Sequence, residues 1–334
     1  MKAIICTKYG PPEVLQMAEV EKPVPNNREM LIKNHATTVN YGDVVARNFK
    51  NTSFREFHMP LLLLLPTKFY FGLRKPRIKI LGSVFAGEIV AKGKDVKKFK
   101  IGDQVFGYLG QRMGGYAQYL CVTEKEVIAA KPANISYEEA VTHPYGAVMA
   151  MSILRRGKIK NGQKVLINGA SGGIGSAAVQ IIKTHYGAEV TGVCGSGRLE
   201  FVKALGADKV IDYNNIDFTK QDETYDLVFD ILGKSSFSMV KKCLKPNGRF
   251  LLSSFKTGKI LQMLWTKLRG GKRVICALAV DSGSRDLDRF KDFIEAGKIK
   301  SVIDKTFPLK RTADAHQYYE GGLRKGNVVI SIEH

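Results

Sequence analysis

Short apolar runs broken by turn residues dominate the first 130 positions. Ala3 to Cys6, Val14 to Met17 and Met30 to Lys33 read as strand segments, and Pro23, Pro25 and Asn26 mark a loop between the last two, which predicts a strand-rich opening. Residues 36–47 predict a strand ending near Asn40 and a helix starting near Asp43, with Asp43 as its cap. From Ile80 onward the chain reads as strands joined by glycine turns, residues 114–122 alternate again, and Val127 to Ala130 adds a short strand. The expectation is a compact, mostly β first domain.

After Ser136 the period changes. Ser136, Glu138 and Glu139 form a helix-start signature, and a second helix is expected around Ala147 to Leu154. Lys164 to Asn168 is an apolar strand run that ends in Gly169, Ala170, Ser171, Gly172, Gly173, Ile174 and Gly175. Ile174, Ala177, Ala178, Ile181 and Ile182 then recur at helical spacing, and Glu189 to Cys194 is strand-like once more. Further strands are expected at Lys209 to Tyr213, Tyr225 to Asp230, Arg249 to Ser253 and Arg273 to Ala279. Helices fall at 198–206 and at about 234–244 and 256–268. Six strands alternating with helices fit a doubly wound parallel sheet of α/β class. A helix from Arg285 to Ala296 and a last strand from Val328 to Ile332 return toward the first domain.

The glycine loop carries the chemistry. In a strand–turn–helix of this kind one glycine makes the turn, one lets the backbone approach a pyrophosphate, and one lets helix and strand pack closely. The amides at the helix start face the phosphates. Ala170 stands where the strict GxGxxG fingerprint has its first glycine. At the end of the second strand, where NAD-binding versions carry an Asp or Glu, this chain has Cys194 and Gly195, then Ser196 and Arg198. A hydroxyl and a guanidinium suit a 2′-phosphate, and the sequence places no carboxylate there to repel one. The expected cofactor is NADPH.

Residues 59–73 break both patterns. Leu61 to Leu65 lie between Pro60 and Pro66, too few to span a bilayer, and the prolines argue against a long helix. Three readings stay open: a loop packing its leucines inside, a flap over a lipophilic substrate, or a membrane contact beside Lys68, Arg74, Lys75 and Arg77.

Composition narrows the setting. The 334 residues, 44% of them apolar, suffice for two domains or one large one. A net charge of +21, from 52 basic and 31 acidic residues, favours anionic partners without ranking dinucleotide, lipid or RNA. Cys6, Cys121, Cys194, Cys243 and Cys276 show no paired short spacing, so a reducing compartment is expected. With no signal peptide read at Met1 to Cys6, the expected place is the cytoplasm, or peripherally at a membrane.

Motifs along nearly the whole chain resemble the zinc-independent quinone oxidoreductases of the medium-chain dehydrogenase/reductases. They are Met1 to Ile5, the turn from Asn40 to Asp43, LGSVFAGEIVAKG at 81–93, GDQVFG at 102–107, GGYAQY at 114–119, NGASGGIGSAAVQ at 168–180, LGADKVIDY at 205–213, LKPNGRF at 244–250 and the closing GNVVISI. The resemblance implies a GroES-like catalytic domain from residues 1–145 and 282–334, with an inserted Rossmann domain from 146–281. It also implies NADPH-linked reduction of quinones or activated enones, and a homodimer formed through the last Rossmann strand. It assigns Ser196, Arg198 and Tyr213 to the 2′-phosphate and adenine, and Ser253 and Asn327 to further cofactor contacts. Asn40 falls at the nicotinamide and substrate end; Tyr41, His143 and Tyr145 are candidate proton donors. Val148 and Asn327 depart from the residues frequent in the family. Zinc-dependent cousins carry a Cys near Asn40 and a Gly-His-Glu where this chain has Gly82, Ser83 and Val84. Amide and hydroxyl in those places lead to the expectation of no metal. Without a Lewis acid, substrates that spread charge over a π system are favoured: a lipophilic quinone or α,β-unsaturated carbonyl. Two rival readings are an RNA-binding protein using the basic surface, which steeply salt-sensitive RNA binding would favour, and a peripheral membrane protein docking through Leu61 to Leu65.

Overall fold

The computed structural model describes residues 1–51, 61–277, 283–322 and 324–334. The opening alternation becomes β1 (Lys2–Cys6) and β2 (Leu15–Glu19), an antiparallel pair. The long strand β3 (Glu29–Val39) follows, then the helices α1 (Tyr41–Arg47) and α2 (Leu61–Phe71). After them come β4 (Val84–Lys92), β5 (Gln104–Tyr108), β6 (Tyr119–Thr123) and β7 (Val127–Ala130). Helices α3 (Tyr137–Ala140) and α4 (Pro144–Gly157) lead into the second sheet.

That sheet holds β8 (Lys164–Asn168), β9 (Glu189–Cys194), β10 (Lys209–Asp212), β11 (Tyr225–Asp230), β12 (Leu244–Leu252) and β13 (Arg273–Cys276). Their order is β10-β9-β8-β11-β12-β13, and every neighbouring pair is parallel. The connecting helices are α5 (Gly173–Ile181), α6 (Leu199–Ala204), α7 (Phe237–Val240) and α8 (Thr257–Arg269). Strand order reverses between β8 and β11, and crevices for ligands open at such a reversal, outside the carboxyl ends of the strands. Both faces of the sheet are buried, as a parallel sheet requires: Val165 and Ile167 of β8 enter one hydrophobic cluster and Leu166 enters the other.

The last segment, α9 (Ser284–Glu295), β14 (Ile303–Pro308), α10 (Thr312–Glu320) and β15 (Asn327–Ser331), closes the first sheet. That seven-stranded sheet runs β14-β15-β3-β4-β5-β7, with β6 also on β3. The GroES-like and Rossmann-type bodies implied by the motifs are therefore both present.

Three local expectations change. Asp43 is not the cap of α1: Asn40 is, and Asp43 sits three residues in, accepting the Asn40 N–H at 2.8 Å. Residues 61–71 form an 11-residue helix with Pro66 inside it, so the proline has not stopped the helix as expected. The side chains of Leu61 to Leu65, and with them the readings of that stretch, lie outside the described residues. β14 and α10 were not expected at all. Along the described part of β13, Val274 N–H donates to Thr266 Oγ1 at 3.1 Å and Cys276 N–H to Met263 Sδ at 3.4 Å, both on α8.

Candidate functional site

The glycine loop lies between the end of β8 and the start of α5, and its glycines divide the work. Gly169 turns the chain at φ +96°. Gly175 packs the helix against the turn, since a methyl group there would lie 2.1 Å from the Gly169 carbonyl oxygen. Gly172 and Gly173 are less tightly packed: a methyl on them would make ordinary contact, 3.7 Å from the Gly169 carbonyl oxygen and 3.8 Å from the Tyr145 ring respectively. Ser171 and Ile174 are half-buried around them. Ala170 is fully buried, its N–H bonded to the Val193 carbonyl at 3.0 Å. It is accommodated where a glycine is usual because the facing residue on β9 is Gly192, on which a methyl would come 3.1 Å from the Ala170 methyl. A glycine backbone cradle at a helix start is what a dinucleotide pyrophosphate requires, so these residues fit the group.

At the far end of β9, Ser196 and Tyr213 come together, with Tyr213 exposed. One expectation is corrected here: a carboxylate is present. Asp212, at the end of β10, accepts Ser196 Oγ–H at 2.5 Å, Asn214 N–H at 3.0 Å and Asn215 Nδ2–H at 2.9 Å. The Ser196 hydroxyl foremost, then the Asn214 amide, hold it below the usual carboxylate range. Its oxygens are thus turned to donors of its own loop, and Ser196 has its proton committed. Arg198 donates to the Gly322 carbonyl, a neutral acceptor that a phosphate would readily outcompete.

The substrate end is assembled from distant segments. Asn40, 4% exposed, directs its amide hydrogens to Thr38 Oγ1 at 3.0 Å and Ser83 Oγ at 3.2 Å. Asn40 therefore pins the turn and has no spare donor. Ser83 Oγ–H in turn donates to Asp43 Oδ2 at 3.3 Å. Burial pushes Asp43 from 3.8 up to about 7, against the hydrogen bonds from Asn40 and Ser83. Tyr145 lies 3.8 Å from the methyl position of Gly173 and meets Tyr108 edge-on at 6.0 Å. Desolvation raises both phenols, Tyr108 to about 12 and Tyr145 well above its usual value. The charges of Asp43 and Tyr41 act on Tyr145, so these groups share one region, with Tyr41 itself 55% exposed. His143 borders a small cavity together with Gly173 and Asn327, its Nε2 at 2.7 Å from Ser301 Oγ and its ring 5.5 Å from Phe290. Burial lowers it to about 3, so it is a neutral packing residue at ordinary pH.

Ser253 donates to the Ile231 carbonyl at 2.8 Å and braces the loop after β11. Asn327 donates to the Val302 carbonyl at 3.1 Å, its Oδ1 3.9 Å from the methyl position of Gly173. Asp230, missed in the sequence, organises the whole crevice: fully buried, it accepts the N–H groups of Leu232, Gly233 and Ser235 and the Asn168 side chain. A carboxylate closing a strand three residues before a turn glycine, Gly233, was the available signal. Among the described residues no three His, Cys, Asp or Glu side chains are grouped to hold a metal. Around Asn40 the donors are amide and hydroxyl.

Comparison with known proteins agrees with this geometry. The family described as "Alcohol dehydrogenase GroES-like domain" matches residues 26–132, and that described as "Zinc-binding dehydrogenase" matches 205–330. The chain is 32% identical over 342 residues to a 2-methylene-furan-3-one reductase of Solanum lycopersicum, covering 99% of this chain and 79% of that one. It is 30% identical over 341 residues to an NADPH-dependent alkenal/one oxidoreductase of Arabidopsis thaliana, covering 99% and 79%. The solved quinone oxidoreductase of Coxiella burnetii superposes with a TM-score of 0.83 at 28% identity, covering 100% of this chain and 99% of that one. With both bodies matched, the glycine cradle in place and hydroxyl and amide groups where zinc-dependent relatives carry ligands, the chain belongs to the zinc-independent quinone oxidoreductase family of the medium-chain dehydrogenase/reductases.

Proposed function

We propose that this chain is an NADPH-dependent oxidoreductase whose acceptors are lipophilic quinones and α,β-unsaturated carbonyls. The observation that carries this reading is the glycine start of α5, where Gly172 and Gly173 put no side chain over the backbone amides and Tyr145 and Asn327 stand at contact distance from the methyl position of Gly173. When bound, NADPH supplies the hydride. The chain's part is to hold and orient: amides at the start of α5 take the pyrophosphate, and Arg198, with Tyr213, takes the adenosine end, while Ser196 keeps the Asp212 carboxylate occupied.

Asn40, Thr38 and Ser83 fix the floor of the substrate end through neutral hydrogen bonds. Amide and hydroxyl groups of this kind stabilise a localised alkoxide poorly, so acceptors that delocalise the incoming charge are favoured. Tyr41 and Tyr145 are the hydroxyls we assign to return a proton. Five free cysteines accord with a reducing, cytoplasmic setting, and no described helix is long and apolar enough to cross a membrane. A homodimer, formed as in the family through the last strand of the Rossmann sheet, belongs to this reading.

The test is titration with NADPH and NADH followed by a panel of quinones, enones and simple ketones. NADPH is expected to bind more tightly, and quinones and enones to turn over faster than ketones. Arg198→Ala is expected to weaken NADPH about tenfold while leaving NADH unchanged, the loss of one charge-assisted contact. Equal losses for both coenzymes would remove Arg198 from the 2′-phosphate site, and a preference for simple ketones would overturn the substrate class.

A further inference from the structure

Helix α8 has two apolar faces. The inner one turns Met263 and Thr266 onto β13, with Thr266 only 2% exposed. The outer one carries Leu261, Leu264, Trp265 and Leu268 at i, i+3, i+4 and i+7, with exposures of 65, 51, 50 and 88%. A surface helix ordinarily places charge on that side.

Charge lies around the stripe instead. On the helical wheel Lys267 and Arg269 fall on its two flanks, and the Arg269 guanidinium covers the Trp265 ring at 4.2 Å. From Lys256 to Arg273 the chain has six basic residues and no acidic one. We propose that the outer face of α8 is a docking surface for an anionic lipid bilayer. The leucines enter the boundary between headgroups and acyl chains, Trp265 sits at that boundary, and the cations reach the headgroups on either side.

Charge decides among occupants. A second copy joined through this face by a two-fold axis would bring like cations together, with no carboxylate in the segment to meet them. RNA would satisfy the cations and leave four large apolar side chains in water. An anionic lipid surface meets both sets. This inference is independent of the reductase reading, because it uses no residue of the cofactor or substrate ends.

Trp265 is the only tryptophan in the chain, so its emission reports this face alone. The full-length protein is mixed with vesicles of phosphatidylcholine, or of phosphatidylcholine with phosphatidylglycerol. The expected result is a blue shift and co-sedimentation with the anionic vesicles only, both falling as salt is added. The triple variant Leu261→Ser, Leu264→Ser, Leu268→Ser loses the shift. A second triple variant, Lys267→Gln, Arg269→Gln, Lys272→Gln, loses at least about tenfold in partitioning, while Lys267→Arg alone keeps it. Unchanged NADPH affinity and thermal melting show that the variants are folded. A shift equal on neutral and anionic vesicles, or absent on both, overturns the proposal. So does a shift that appears without lipid as protein concentration rises and tracks a dimer by sedimentation, or one produced by RNA and not by vesicles.

Discussion

Asp43 shows what one side chain can be read to do. It is fully buried, it accepts from Asn40 and Ser83, and its carboxyl titrates near 7 in place of 3.8 because burial penalises its charge. A raised acid binds a proton in the folded state that the unfolded chain has already released. Its contribution to stability is therefore present below about pH 4 and is lost as pH rises toward about 7. His316 runs the other way. Buried between Arg47, at 3.1 Å, and the Tyr116 hydroxyl, at 2.9 Å, it is pushed well below 6.5 first by burial and then by the Arg47 charge, so it costs stability as pH falls. The two partly cancel in the wild type. Comparing it with Asp43→Asn isolates the first: the variant is expected to gain relative to wild type from pH 4 to 7, with ~4 kcal/mol as the ceiling. Urea unfolding across that range measures it, and a flat difference would show that Asp43 ionises normally.

Between elements, a tight constraint beside the glycine loop is the contact of α4 with α5. A methyl on Gly146 would lie 2.7 Å from the Gly173 carbonyl oxygen, a backbone atom at the very turn of helix that faces the cofactor cradle. Gly146→Ala is expected to cost ~1–3 kcal/mol through overpacking and also to weaken NADPH binding, because the start of α5 must shift. Gly258→Ala, in the first turn of α8 with nothing within 4 Å, is the control and should leave both unchanged. Thermal melts and NADPH titration separate the two outcomes. The same scale explains what was legible. β8, the loop and α5 are contiguous and strongly patterned, so sequence alone located them. α10 escaped because its buried face is Thr312, Ala315 and His316, which are small or polar. β14 escaped because along Ile303–Pro308 only Phe307 is buried. The substrate end was the least legible: Asn40, Ser83, Tyr108 and Tyr145 meet only through folding, and no local spacing announces that.

For the molecule as a whole, charge acts before contact does. With 52 basic and 31 acidic residues, the chain presents a positive field to any polyanion, and a field of that kind accelerates encounter without adding a bond in the complex. In the function proposed above Arg198 is different, since there it would act after arrival and govern departure. The two contributions separate in stopped-flow kinetics of NADPH binding. Raising ionic strength from about 0.01 M to about 0.3 M shortens the screening length severalfold, and the association rate constant is expected to fall by about tenfold or more. The dissociation rate constant should change much less. In Arg198→Ala the pattern reverses at fixed salt, with faster dissociation and nearly unchanged association. If added salt speeds dissociation as strongly as it slows association, the basic surface is contacting the cofactor directly, and the site extends beyond the residues around the glycine cradle.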